Sequence, residues 1–212
     1  MKVGVVRFPG TNCDRDVWQM VKERGHSPFW CWHQDRFAKD DLDAVIVPGG
    51  FSYGDYLRCG ALAAKSPVMA SVREFAGAGK PVLGICNGFQ VLCESQLLAG
   101  ALVRNESLRF VDDWVRLRVK SVAKGFLADA KLDEELRLPV AHGEGRFVCD
   151  DEILKTLWEN DQVWLTYVDN PNGSLRDIAG IMNAGRNVMA LMPHPERALH
   201  DWMGSHDGGR FL

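Results

Sequence analysis

The apolar residues of the chain fall into short runs that are separated by amphipathic segments. Four of these runs are rich in β-branched residues and bounded by Pro or Gly, namely KVGVVRF at 2–8, DAVIVP at 43–48, PVLGI at 81–85 and NVMALM at 187–192. Continuous apolar runs of this length are typical of strands that are buried on both faces of a parallel sheet. We therefore expect a sheet core built from these four segments.

The segments between these runs have the spacing of helices. Helices are predicted over 12–24, 66–76 and 87–98, and either Thr11 or Asn12 is expected to cap the first one. Alternation of strand and helix is typical of a doubly wound α/β sandwich with a mostly parallel, flavodoxin-like sheet.

The pattern becomes less regular from about 110 to 185. Apolar and polar residues alternate in VRLRV at 115–119 and in RLPVA at 137–141, and one further helix is predicted at 151–159. This region is expected to extend the sheet with antiparallel strands. Because no repeat, low-complexity tract or linker interrupts the chain, we predict a single domain over 1–212.

Composition narrows the classes of function. The chain is 46% hydrophobic and 25% charged, with a net charge of −3, and it lacks the concentrated excess of Lys and Arg that a nucleic-acid partner requires. No apolar run reaches the length of a signal peptide or a membrane span, so we expect a cytoplasmic protein without membrane contact. Its six cysteines form no CxxC pair, and no histidine has metal-ligand spacing, so free thiols and no metal site are predicted.

One of these cysteines lies in a pattern of its own. Cys86 stands between Gly84 and Gly88, after a predicted strand and before a predicted helix, as in a nucleophile elbow. The glycines leave room for a strained turn, and the helix N-terminus favours a thiolate and leaves the Asn87 N–H free for an oxyanion. Gln90 lies over Cys86 on the same helix face, within reach of a bound substrate. The alternatives are a buried core thiol and a solvated glutamine.

A candidate base for this thiol occurs in MPHPER at 192–197. His194 precedes a proline, which favours extended backbone, so the side chains of His194 and Glu196 are expected to point the same way and to interact. The carboxylate would then orient the imidazole and support its charged form. The alternative is an ordinary surface turn. The elbow and this segment together indicate nucleophilic catalysis more strongly than either does alone.

Several further segments complete a resemblance. With GICNGFQ and HPER, the chain resembles the class I (triad) glutamine amidotransferases, and within them the glutaminase subunits that serve a synthase of purine biosynthesis. The motifs that carry this resemblance are FPGTNCDRD (8–16), PGGFSYGDYLRCGALAA (48–64), GICNGFQVL (84–92), AHGEGRF (141–147), NPNGS (170–174) and MPHPER (192–197).

The resemblance implies roles for individual residues. Cys86 would attack the side-chain amide of L-glutamine, His194 would pass a proton to the departing ammonia, and Glu196 would orient His194. The backbone N–H groups of Gly50 and Asn87 would hold the oxyanion. The remaining residues implied at the substrate are Gln90, His142 and Gly143. Read without the resemblance, the PGGFSYGD loop could simply end a strand, and HGEG could be an ordinary turn.

The resemblance also implies partners. Ammonia would pass to a separate large synthase subunit, which makes formylglycinamidine ribonucleotide from formylglycinamide ribonucleotide. A small bridging subunit would join this synthase to the chain. ATP and magnesium are expected on that synthase and no cofactor in this chain, and the isolated chain is expected to be a poor glutaminase. Two other readings compete, a stand-alone cysteine hydrolase or peptidase of the same fold and a non-catalytic redox-sensing module. Residues 111–135 and 201–212 match no motif.

Overall fold

The computed structural model describes all 212 residues and contains eleven strands and four α-helices. The strands are β1 (Lys2–Arg7), β2 (Ser27–Trp32), β3 (Ala44–Val47), β4 (Val82–Ile85), β5 (Ala101–Val103), β6 (Val111–Val119), β7 (Glu135–His142), β8 (Arg146–Val148), β9 (Val163–Tyr167), β10 (Ile178–Met182) and β11 (Val188–Leu191). The helices are α1 (Asp14–Glu23), α2 (Pro67–Gly77), α3 (Asn87–Glu94) and α4 (Asp151–Glu159). None of the four helices combines the length and the apolar character that a membrane span requires.

A nine-stranded sheet forms the centre of the fold, with strand order β2-β1-β3-β4-β11-β10-β9-β6-β7. The first five strands in this order pair in parallel. Every residue of β3, β4 and β11 is buried, as expected for parallel strands that are covered on both faces. The α/β fold class predicted from the sequence is confirmed.

The other four strands of the sheet pair antiparallel. In β6 and β7 buried and exposed residues alternate toward one end, so only one face of these strands is fully covered. The predicted antiparallel extension is therefore present. A separate two-stranded sheet joins β5 to β8.

The structure corrects two sequence-based expectations and adds one strand. Neither Thr11 nor Asn12 caps α1, since Cys13 occupies the N-cap position without a side-chain hydrogen bond to the helix. The helix predicted over 87–98 ends at Glu94. Strand β2 was not predicted, because SPFWCW contains a proline and is only half-buried at the edge of the sheet, where apolar patterning is weak.

Candidate active site

Three loops meet at one edge of the sheet because they follow three neighbouring parallel strands. The Pro-Gly-Gly loop at 48–50 follows β3, the elbow at Cys86 follows β4, and MPHPER at 192–197 follows β11. Parallel strands bring their carboxyl ends to the same edge, which is where open α/β sheets build their sites. The Cys86 N–H donates to the carbonyl oxygen of Leu191 at 2.8 Å, which links the elbow to the strand that precedes His194.

The elbow has the strained backbone that its sequence predicts. Cys86 adopts φ 51° and ψ −107°, a conformation that non-glycine residues rarely adopt and that costs about 1 to 3 kcal/mol. Gly88 is required by close approach, since a Cβ there would lie 1.9 Å from the carbonyl oxygen of Val47 on β3. Gly84 packs directly on Gly88, where an added Cβ would lie 2.9 Å from its carbonyl carbon. The two glycines therefore let α3 start close against the sheet with the Cys86 thiol at its N-terminus.

His194 and Glu196 form a buried pair beside this thiol. The His194 Nδ1 atom lies 2.6 Å from a carboxylate oxygen of Glu196, and each residue is only 2% exposed. Burial alone favours the neutral imidazole, but the Glu196 carboxylate and the Cys86 side chain raise the pKa of His194 well above its ordinary value. The other ring nitrogen, Nε2, has no hydrogen-bond partner within the protein. It is thus available to a reacting group.

The local backbone of this segment differs from the extended form that the sequence predicts. Residues Pro195–Arg197 form a single 3₁₀ turn, with His194 preceding it at φ −107° and ψ 89°. The His194 N–H donates to the carbonyl oxygen of Pro139 on β7 at 2.8 Å. The turn still brings the Glu196 carboxylate back to the imidazole, so the predicted pair forms in a tighter geometry.

Gly50 and Asn87 are the residues predicted to hold the oxyanion. Neither backbone N–H donates a hydrogen bond within the protein. Gly50 has φ 139°, and a Cβ there would lie 2.6 Å from the Asn12 backbone nitrogen, so glycine is required. The Asn87 side-chain oxygen accepts from the Ser52 N–H at 3.2 Å, which fixes the Pro-Gly-Gly loop to the elbow. The two N–H groups are thereby held in place before any substrate binds.

Gln90, His142 and Gly143 line a cavity of about 390 Å³ that also exposes Cys86. The Gln90 amide is already engaged, because its nitrogen donates to the Glu144 carbonyl at 2.7 Å and its oxygen accepts from the Asn87 side chain at 2.8 Å. Gln90 therefore joins the elbow to the HGEG segment, and one N–H and one lone pair of its amide remain available to a ligand.

His142 is held by two asparagines. Its Nδ1 lies 3.2 Å from the side-chain oxygen of Asn105, and its Nε2 lies 3.4 Å from the side-chain nitrogen of Asn172. Burial lowers the pKa of His142 to about 4, and the nearby charge of His194 contributes to the shift. The neutral ring fits this arrangement, with Nδ1–H as donor and Nε2 as acceptor. The His142 ring thus stabilises the cavity wall.

Sequence reasoning missed Cys13 as a neighbour of the triad. Its thiol, a ring nitrogen of His194 and a carboxylate oxygen of Glu196 lie within 4.8 Å of one another, and all three residues are buried. Arg197 donates from Nη2 to the Cys13 sulfur at 3.2 Å. The sequence places Cys13 in FPGTNCDRD, but only the pairing of distant strands brings it to His194. The predicted absence of a metal remains a prediction.

His33 and Arg58 lie outside this site. The His33 ring accepts or donates a hydrogen bond to the Tyr53 hydroxyl at 2.7 Å and is buried, in keeping with a structural role. Arg58 pairs with Glu94 on the surface. All six cysteines are unpaired thiols.

Comparisons with known proteins identify close relatives. Residues 1–209 match the family model described as the CobB/CobQ-like glutamine amidotransferase domain. Phosphoribosylformylglycinamidine synthase subunit PurQ of Helicobacter hepaticus is 50% identical over 212 residues, which cover 100% of this chain and 96% of that protein. A chain in the structure of PurLQS from Thermotoga maritima superposes with a TM-score of 0.90 at 42% identity, covering 99% of this chain and 94% of that one.

More distant solved structures share the fold. A putative GMP synthase protein from Thermoplasma acidophilum has a TM-score of 0.62 at 16% identity and covers 92% of this chain and 84% of that one. A glutamine amidotransferase from Thermotoga maritima has a TM-score of 0.62 at 18% identity, covering 93% and 77% respectively. The match to the glutamine amidotransferase domain and the 50% identity to a PurQ subunit do not favour the alternatives of a stand-alone hydrolase or a redox module.

Proposed function

The chain belongs to the CobB/CobQ-like glutamine amidotransferases and, within them, to the PurQ subunits of phosphoribosylformylglycinamidine synthase, and from this premise we propose how its residues release ammonia from glutamine. Cys86 is the nucleophile, His194 the proton carrier and Glu196 the group that orients it. Gly50 and Asn87 supply the oxyanion donors.

In the first half of the reaction, the Cys86 sulfur attacks the side-chain amide carbon of L-glutamine. Negative charge develops on the amide oxygen, which the free N–H groups of Gly50 and Asn87 stabilise. The charged His194 then gives its proton to the amide nitrogen. The C–N bond breaks, ammonia departs, and a glutamyl thioester remains on Cys86.

In the second half, the now neutral His194 takes a proton from water. The resulting hydroxide attacks the thioester carbon, and the same two N–H groups stabilise the second tetrahedral oxyanion. Collapse of this intermediate breaks the C–S bond and frees the Cys86 thiolate, while His194 keeps the proton that it took from water. The proton of the new carboxyl group passes to solvent. Glutamate leaves, and the enzyme is restored. A thiol, an imidazole and a carboxylate supply the whole chemistry, so this chain needs no cofactor.

The buried contact between His194 and Glu196, beside the strained elbow of Cys86, carries this proposal. A carboxylate bonded to Nδ1 fixes the imidazole so that Nε2 is the exchanging nitrogen. That nitrogen is free, and the Cys86 side chain is among the groups that raise the pKa of His194. A structural histidine or a redox-sensing thiol would not need a carboxylate at Nδ1, a free Nε2 and a neighbouring cysteine at the same site.

The released ammonia is consumed by a separate synthase subunit. We propose that this subunit uses ATP and magnesium to convert formylglycinamide ribonucleotide to formylglycinamidine ribonucleotide. The relative from Thermotoga maritima occurs in a structure of PurLQS, which favours assembly with a large and a small bridging subunit. The proposed location is the cytoplasm, where purine nucleotides are made, and the proposed domain organisation is one amidotransferase domain over 1–212.

Comparison of glutamine with ammonium as nitrogen source tests the proposal. The chain is assembled with its two synthase partners, and formation of the amidine product is followed for the wild type and for Cys86→Ala. We expect Cys86→Ala to abolish synthesis from glutamine and to leave synthesis from ammonium salts intact, because the thiol acts only in releasing ammonia. Cys149→Ala removes a half-buried cysteine outside the site and serves as the control.

The same assay tests whether His194 acts in amide cleavage. We expect His194→Asn to behave as Cys86→Ala does, since both residues act in amide cleavage. Glutamine-dependent synthesis by either variant at the wild-type rate would refute the assignment of the triad. Loss of both glutamine- and ammonium-dependent synthesis would show that these residues serve assembly instead.

A further inference from the structure

Cys13 is a second buried thiol at the active site, and the proposed reaction assigns it no step. It lies between β1 and α1 and is only 3% exposed. Its N–H donates to the carbonyl oxygen of Gly49 at 3.3 Å, so the backbone at Cys13 is tied to the Pro-Gly-Gly loop. The segment after β1 therefore belongs to the same edge of the sheet as the loops that carry the triad.

Three side chains converge on Gly49, which has none. A Cβ at this position would lie 2.8 Å from Cε1 of His194, 3.2 Å from the Cys13 sulfur and 3.3 Å from Cβ of Cys86. The first of these distances is too short for a side chain, so glycine lets the two thiols and the imidazole gather around one point. The Cys13 sulfur thus packs next to the imidazole that carries the proton.

Polar neighbours fix the direction of the Cys13 thiol. Its sulfur lies 3.6 Å from the side-chain oxygen of Asn12, to which it donates, and accepts from Nη2 of Arg197 at 3.2 Å. Arg197 is anchored in turn by Asp16 on α1, whose carboxylate lies 3.3 Å from its Nε. A thiol whose proton points at an amide oxygen presents its lone pairs to other groups. The Cys13 sulfur is therefore an acceptor toward the cations around it.

A core thiol elsewhere in the chain has different surroundings. Cys31 on β2 is also 3% exposed, and its sulfur lies 4.0 Å from the carbonyl oxygen of Phe29. Burial raises the pKa of Cys31 to about 12. Burial raises the pKa of Cys13 as well, but the nearby His194 side chain opposes that shift. Buried free cysteines are usually packing residues, as Cys31 is, and the charged neighbours of Cys13 set it apart.

Titratable groups face His194 from four segments of the chain. They are Glu196 in the same turn, Cys86 at the elbow, His142 at the end of β7 and Cys13 before α1. Burial favours the neutral ring, whereas Glu196, Cys86 and Cys13, in that order, raise the pKa of His194. His142 adds no charge at neutral pH, because burial lowers its pKa to about 4. Cys13 is thus the contributor that the triad leaves out.

We propose that Cys13 is a positioning residue for His194: its sulfur, held by Arg197, stabilises the charged imidazolium that gives its proton to the departing ammonia. Cys13 leaves Nε2 of the ring without a hydrogen bond, so that nitrogen stays available to the substrate. The charge of Arg197 is balanced by Asp16 and Glu196, so Arg197 holds the sulfur with little repulsion of the imidazolium. This inference rests on the proposed function and adds a residue to its proton transfer.

Titration of His194 by NMR tests the inference on the full-length chain. The histidine Cε1 carbons are labelled with carbon-13, and His194 is identified by the signal that disappears in His194→Asn. All samples carry Cys86→Ala, so that the ring no longer shares its proton with the nucleophile. We expect Cys13→Ala to lower the midpoint of His194 by about 0.5 to 1 pH unit, since a weak acceptor is lost from a charged group. Cys13→Ser keeps an acceptor and should restore part of the midpoint.

Turnover is then measured on the assembled complex with Cys86 intact. The alkaline limb of the kcat/KM–pH profile reports loss of the charged imidazole in the free enzyme. In Cys13→Ala this limb should move to lower pH, in the same direction as the midpoint, and in Cys13→Ser it should move less. Cys31→Ala removes an equally buried thiol away from the site and is the matched control. It should change neither the midpoint nor the limb.

Each outcome decides a different point. An unchanged midpoint or an unmoved limb in Cys13→Ala, or equal shifts in Cys31→Ala, would overturn the inference and leave the triad standing, provided that Cys86→Ala still abolishes synthesis from glutamine. Glutamine-dependent synthesis that survives Cys86→Ala would overturn the proposed function and this inference together, because no proton transfer would remain for Cys13 to support. Should Cys13→Ala not fold, Cys13→Val decides in the same way, since valine fills the site without an acceptor.

Discussion

His142 should make the stability of the fold depend on pH between about 4 and 6.5. The imidazole is 3% exposed and is held by Asn105 and Asn172 in its neutral form. Burial is the main reason that its pKa falls from 6.5 to about 4. Protonation would give Nε2 a hydrogen that points at the donor group of Asn172, so the charged ring no longer fits.

The size of the effect follows from the two pKa values. The difference between 6.5 and about 4 is about 2.5 units, and at 1.36 kcal/mol per unit it amounts to about 3 kcal/mol. Between pH 6.5 and about 4, His142 binds a proton in the unfolded chain but stays neutral in the folded chain, so acid favours unfolding. The contribution is fully present above pH 6.5 and is lost as pH falls toward 4. That loss is a large fraction of the 5 to 15 kcal/mol typical of a domain.

Urea denaturation at a series of pH values from 7.5 to 4.5 measures this slope. His142→Gln keeps a donor and an acceptor at the position but does not titrate in this range. We expect the free energy of unfolding of the wild type to fall more steeply with acid, by up to about 1.4 kcal/mol per pH unit below pH 6, than that of the variant. A constant offset between the two is allowed, because Gln packs differently. Equal slopes for the two proteins would refute the reasoning.

Three further predictions concern the groups around the nucleophile. Gly50→Ala should lower glutaminase kcat by at least about 100-fold and destabilise the chain in thermal unfolding, because an alanine at φ 139° with a Cβ 2.6 Å from the Asn12 nitrogen would displace an oxyanion donor. Gly77→Ala, at an open helical position, should leave kcat unchanged and should not destabilise the chain. Comparable losses in the two variants would contradict this prediction. Glu196→Gln should lower the pKa of His194, so the alkaline limb of the kcat–pH profile should move to lower pH; an unmoved limb would count against the pair. Asn87→Ala should lower kcat about 10- to 100-fold with little change in KM, measured in the assembled complex, because the loop to which it bonds loses its fixed position; a rise in KM alone would point to a binding role.

Most of the site could be predicted from the sequence because its chemistry lies in short segments next to buried strands. In GICNG the two glycines themselves indicate a turn too tight for side chains at these positions. The contact of Gly84 with Gly88 shows the close approach that this turn requires. His194 and Glu196 are two residues apart, so their pairing depends on local geometry. The structure brings these residues together although the segment forms a 3₁₀ turn where extended backbone was expected.

What the sequence could not reveal depends on contacts between distant segments. Cys13 reaches His194 only because β1 and β11 belong to one sheet, and Asn105 meets His142 across 37 residues. The hydrogen bond from Gln90 to the Glu144 carbonyl was not predicted for the same reason, since these residues lie 54 positions apart. Local patterns thus predict which elements form, but not which distant residues the fold brings into contact.

Reaction with 6-diazo-5-oxo-L-norleucine tests the central claim most directly. The chain, assembled with its synthase partners, is exposed to this glutamine-shaped electrophile with and without L-glutamine, and the adduct is located by intact-mass and peptide mapping. The account predicts a single adduct on Cys86 that L-glutamine suppresses. No adduct, or labelling spread over Cys13, Cys59 and Cys86 regardless of L-glutamine, would contradict it.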